Sequence, residues 1–182
     1  MRRAVLIALA VVLLAGCGES RTRVPDLRSA MAPEGTREQD VAGVTFQRPG
    51  NWRPLDPAPP MEGGVRSNTA TVAIWRYPRT EPLPADDAAL ERARTALLDR
   101  VRARNPTFAV RTSELTRLGR ARGIQLTGRQ TVAGLDYDVR SLHVFSDGAE
   151  VVVDAYAPSA DFARVDRTVF GPLFASLRIG SP

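Results

Sequence analysis

Between residues 108 and 157 the chain alternates polar and apolar side chains through four consecutive segments, 108–118, 123–132, 135–145 and 149–157. A period of two places successive side chains on opposite faces of an extended strand. Ala133-Gly134 and Asp147-Gly148 separate the last three segments, and such pairs suit the positive φ angles of a two-residue hairpin turn. Whatever else the chain does, this stretch must form an antiparallel meander. In the third segment Leu135, Tyr137 and Val139 share a face, and Leu142 and Val144 then take over on the other. That change of phase predicts a bulge near Arg140-Ser141.

The flanks supply further elements. Val44 and Phe46 alternate with polar residues until Pro49-Gly50-Asn51-Trp52 stops the strand in a turn. The prolines from Pro54 to Pro60, followed by Gly63-Gly64, predict an irregular loop. Residues 69–77 are apolar on both faces, which suits a central strand covered on both sides. Asp86 is a good N-cap, with Asp87 in the first turn favouring the helix dipole. Leu90, Ala93, Leu97, Leu98 and Val101 then recur at helical spacing until Asn105-Pro106. A last helix, capped by Ser159 or Asp161, would bury Phe162, Val165, Val169, Phe170, Leu173, Phe174 and Leu177. The order strand, strand, helix, four strands, helix predicts an α+β fold, an antiparallel sheet of about six strands flanked by helices.

The first residues carry an address. Met1-Arg2-Arg3 is a short basic segment followed by twelve apolar residues, 4–15. As a helix these reach roughly 18 Å, too short for a ~30 Å hydrocarbon core, so residues 1–16 read as a signal peptide. Leu14-Ala15-Gly16-Cys17 resembles the lipobox of bacterial lipoproteins. The resemblance implies a lipid-modified Cys17 with palmitate-type acyl chains, and cleavage before it. Two chains suffice for stable anchoring, which would place the protein on the extracytoplasmic face of the cell membrane. Residues 17–40 then form the lipidated cysteine and a flexible tether rich in small and charged residues, leaving 41–182 as the folded domain.

Cys17 is the single cysteine, so no disulfide staples the domain and the core must hold it. Loss of Arg2 and Arg3 with the leader lowers the formal charge from +5 to +3, too diffuse a charge to argue for nucleic acid.

Beyond the lipobox, a second resemblance rests on Phe46-Gln47-Arg48-Pro49-Gly50-Asn51-Trp52, on the helix after the second strand, and on the closing Phe162 with Phe174-Ala175-Ser176-Leu177-Arg178-Ile179. These are similar to the PsbP/Mog-like fold and, within it, to actinobacterial LpqN/LpqT-type lipoproteins, which often carry Phe where Leu177 stands. The resemblance implies an α/β/α sandwich that binds partners, and no shared reaction.

The chemistry-bearing residues are sparse. His143 stands alone on a strand without a nucleophile elbow, and is expected to be a half-exposed strand residue. Asp136 and Asp138 share one strand face, as an acid–base pair or cation ligands, or simply facing solvent. No metal set, phosphate loop or cofactor motif stands out. Arg92, Arg100 and Arg104 fall on one helical stripe and, with Trp52 at its turn, are the candidate binding face for an envelope protein, glycan or lipid. The functional expectation is a non-enzymatic binding or accessory module of the cell envelope. The rivals are a carrier of an apolar or lipid ligand, and an envelope hydrolase using a site the sequence does not reveal.

Overall fold

In the computed structural model, which describes residues 29–180, the chain runs through β1 (Thr36–Val41), β2 (Val44–Pro49), β3 (Arg53–Leu55), β4 (Met61–Ser67), β5 (Ala70–Pro78) and α1 (Asp87–Arg104). It continues through β6 (Ala109–Leu118), β7 (Ala121–Val132), β8 (Leu135–Ser146), β9 (Ala149–Pro158), α2 (Ser159–Val165), a π-helical turn (Asp166–Phe170), α3 (Gly171–Ser176) and β10 (Arg178–Ile179). The expected signal peptide (residues 1–16), the lipobox-like residues 14–17 and the expected tether up to residue 28 lie outside the described residues.

The four alternating segments form the predicted meander. With β3, β4 and β5 they make a seven-stranded antiparallel sheet in the order β3-β4-β5-β9-β8-β7-β6. A second, three-stranded sheet has the order β1-β2-β10. Both hairpin turns take the left-handed backbone that their residues suit, at Ala133 and Gly134 (φ 51° and 79°) and at Asp147 and Gly148 (φ 49° and 69°). Asp86 caps α1 as expected, its Oδ1 accepting from the Ala89 N–H at 2.7 Å.

The pairing register fixes which side chains share a face. One face of the large sheet carries Val72, Ile74, Leu142, Val144, Val151 and Val153. These pack with Val165, Val169, Phe170 and Leu173 of the C-terminal helical segment and with Val41, Val44 and Phe46 of the small sheet. The opposite face carries Ile124, Leu126 and Phe145 beneath Leu90 and Leu97 of α1. Helices therefore cover both faces of the sheet, giving an α/β/α sandwich.

Five expectations are corrected. The stretch expected to be an irregular loop holds two strands, β3 and β4, and only residues 56–60 between them are irregular. Gly64 (φ 154°) lies so close to β5 that a Cβ there would stand 2.0 Å from the Val72 carbonyl oxygen, and glycines that admit this approach carry no side-chain alternation to read. There is no bulge at Arg140-Ser141: the registers of β8 with β7 and with β9 run unbroken through both residues. The phase change marks a strand buried on both faces. The folded unit starts before residue 41, because β1 pairs with β2 from Thr36 onward and Ala30 is buried in the core. Asn51 Nδ2 donates to the Ala32 carbonyl and Asn68 Nδ2 to that of Ser29, both at 2.8 Å. Such a strand is held through its backbone, so its exposed polar side chains do not announce it.

Neither Ser159 nor Asp161 caps the last helix. Pro158 occupies the cap position, and Ser159 Oγ donates instead to Asp138 Oδ1 at 3.0 Å. Nor is that helix continuous. Pro172 lacks an N–H, and its ring would crowd the carbonyl four residues earlier. The π-helical turn widens the helix just before it, with the Gly171 N–H bonded to the Asp166 carbonyl.

Candidate functional site

α1 covers only half of its face of the sheet. Leu90 and Leu97 sit over Ile124 and Leu126 of β7 and Phe145 of β8. In register with these, further across the sheet, β9 presents Glu150, Val152, Asp154 and Tyr156, and β5 presents Trp75 and Tyr77. These residues form the floor of an open cleft of about 930 Å³, walled by Leu97, Arg100, Val101 and Arg104 of α1 and by Phe108.

The cleft is apolar along its helix wall and polar at its base. There His143 Nδ1 donates to Glu150 Oε1 at 2.8 Å, and its Nε2 lies 3.2 Å from Ser141 Oγ. Ser141 Oγ in turn donates to Asp154 Oδ1. At the other end Arg79 Nη1 donates to Glu150 Oε2 at 3.0 Å. One hydrogen-bonded chain thus runs Arg79–Glu150–His143–Ser141–Asp154 across β8, β9 and the loop after β5.

Its members differ in charge preference. Burial acts most strongly on the Glu150 carboxyl and would raise it. The His143 hydrogen bond and the charges of His143, Arg79 and Arg100 together overcome that and hold it below the usual carboxylate range. Burial pushes the Asp154 carboxyl up, against the opposing pull of the His143 charge and the Ser141 hydrogen bond. At the edge of the cleft, burial raises the Tyr77 phenol while the charge of Arg104 pulls it back in part.

The structure separates the sequence-predicted face. Arg100 and Arg104 line this cleft, whereas Arg92 borders a smaller hollow with Pro82, Leu83 and Phe145. Trp52 is removed from any binding surface: it is 1% exposed and packs edge-on against Phe170, with centroids 6.2 Å apart, on the other side of the sheet. His143 is not half-exposed but buried. Asp138 does not face solvent either; Arg129 Nε donates to it at 2.7 Å and Arg111 Nη1 at 3.0 Å, while Asp136 bonds Thr131. The residues that sequence reasoning missed, Ser141, Glu150 and Asp154, carry one faint signal. Ser141 and His143 are two apart on one strand, and a hairpin returns the next strand opposite them.

No family model and no curated protein matches the chain. Among solved structures it is similar to cyanobacterial PsbP from Synechocystis, with a TM-score of 0.60 at 13% identity over 92% of this chain and 99% of that one. It is also similar to LpqN, involved in cell envelope biogenesis of Mycobacterium tuberculosis, with a TM-score of 0.53 at 19% identity over 81% of this chain and 91% of that one. The chain thus has the PsbP-like fold and resembles LpqN in structure, as the closing and opening motifs implied. Among the described residues no helix is long and apolar enough to cross a membrane.

Proposed function

We propose that this protein is a lipid-anchored accessory module on the outer face of the cell membrane that binds a small amphipathic ligand in the α1 cleft. The cleft itself carries the reading. α1 leaves part of this sheet face uncovered, and there Trp75 and Tyr77 stay partly exposed along the cleft, as at a ligand-binding groove. Its volume lies within the range that takes small-molecule ligands. The apolar wall of Leu97, Val101 and Phe108 suits a hydrocarbon body, and Arg100 and Arg104 suit an anionic group. The role in envelope biogenesis recorded for LpqN supports the setting, and the Leu14-Ala15-Gly16-Cys17 motif supports the anchor.

Native mass spectrometry of the purified protein, alone and with anionic amphiphiles of graded chain length, tests the ligand. Retention in the wild type and loss of most of it in R100A/R104A is the expected result. An empty protein under every gentle condition removes the reading. For the anchor, metabolic labelling with an alkynyl fatty acid should mark the wild type and not C17S, and C17S should leave the membrane fraction.

A further inference from the structure

We infer that Ser141, His143 and Glu150 form an acyl-transfer relay at the base of the cleft, able to hydrolyse carboxylic esters whose acyl chain lies along the α1 wall. The inference goes beyond the binding reading, since the cleft could hold a ligand with Ser141 chemically silent.

Three geometric conditions define such a relay: a hydroxyl within reach of a base, a base oriented by a third group, and access for a reacting carbonyl. Ser141 Oγ is 3.2 Å from His143 Nε2, and His143 Nδ1 is 2.8 Å from Glu150 Oε1. The His143 hydrogen bond, with Arg79 bonded to the second oxygen of Glu150, keeps that carboxylate ionised and facing the ring. Ser141 and His143 are 3% and 8% exposed but line the base of the cleft, so the approach of a carbonyl to the hydroxyl is from that side alone.

Asp154 controls where one shared proton stands. With Asp154 ionised, Ser141 donates to it and His143 carries protons on both ring nitrogens. With Asp154 protonated, it donates to Ser141, whose hydroxyl then donates to an unprotonated Nε2. The two placements hold the same number of protons. The structure holds the first, with Ser141 donating to Asp154; attack requires the second, toward which burial of Asp154 shifts the proton against the pull of His143 and Ser141.

In the reaction Ser141 Oγ bonds to the ester carbonyl carbon as its proton passes to Nε2. The carbon–oxygen bond to the alcohol breaks, and the alcohol leaves with that proton. Water then attacks the acyl-Ser141, giving a proton to Nε2, which returns it to Oγ as the acid is released. Ester and water become acid and alcohol, with no other reactant. The N–H groups of β8 lie within its two antiparallel ladders, so no backbone donors are free there to meet developing negative charge, and the cationic side chains lining the cleft are the remaining source. Turnover should accordingly be slow and favour activated esters.

The test treats the full-length protein in detergent with an alkyl fluorophosphonate and with p-nitrophenyl acyl esters. Peptide mapping should place the phosphonyl group on Ser141. S141A should lose both label and turnover, and H143A and E150Q should fall by about 10²–10⁴-fold, the usual share of a positioned base. D154N should keep the label, because its amide donates to Ser141 as the neutral carboxyl does. A purely structural chain predicts no label in any variant. Absence of label on wild-type Ser141, together with turnover equal to that of S141A, overturns the proposal. Ligand retention by S141A in native mass spectrometry reports separately on the binding reading.

Discussion

His143 Nδ1 and Glu150 Oε1 lie 2.8 Å apart as diagonal neighbours on β8 and β9, with both side chains nearly closed off from solvent. An ionised carboxylate in such a place persists only because its partners repay burial. Glu150 titrates lower in the fold than in the unfolded chain, so it contributes stability above the unfolded value of 4.5 and loses it as pH falls through the lower folded value. E150Q should therefore be less stable than wild type at pH 7, with the gap closing toward pH 3. Urea midpoints across that range check it; a gap that stays constant contradicts the account.

Asp154 has the opposite sign. Its carboxyl titrates higher in the fold, so the unfolded chain ionises first and stability drains as pH rises from about the unfolded value of 3.8 through the folded one. D154N keeps a hydrogen-bond partner for Ser141 and removes that penalty. Its melting temperature should exceed that of wild type at pH 8, and the advantage should vanish at strongly acidic pH.

Trp52 belongs to the core through its edge contact with Phe170. W52A should cost about 3–5 kcal/mol, the usual loss for a large buried aromatic, read from a denaturant midpoint. A surface platform for sugars would lose almost nothing.

Asp138 of β8 ties three other elements to its strand, accepting from Arg129 on β7, Arg111 on β6 and Ser159 at the start of α2. Because both arginines are partly solvated, D138A should cost about 2 kcal/mol, within the range for hydrogen bonds to a charged group. D138N, which keeps an acceptor, should cost less.

Ala133 is held at φ 51°, a region that penalises a β-carbon and that Asn tolerates better. A133N should stabilise the β7–β8 hairpin by about 0.5 kcal/mol, visible as a higher urea midpoint with an unchanged slope.

Strong local signals were readable in the linear chain. The meander, both tight turns, α1 with its Asp86 cap and the apolar run of β5 rest on periodicity and capping, which act between residues close in sequence. Elements held by other means were not. β1 is polar and held by its ladder, and β4 contains glycines whose role depends on Val72 of a neighbouring strand. β10 is two residues long and exists only because β2 is there to pair with it.

The candidate site follows the same division. Sequence alone determined that the chain makes an antiparallel α+β sandwich without disulfides, and that Arg100 and Arg104 share a helical stripe. Only the tertiary structure decided that α1 stops short of β5 and β9, that Trp52 faces inward, and that Glu150 and Asp154 reach His143 and Ser141. Periodicity says which side chains share a face of one element. Which faces then meet is set by strand register and by how far a helix covers the sheet, both of them contacts between residues far apart along the chain.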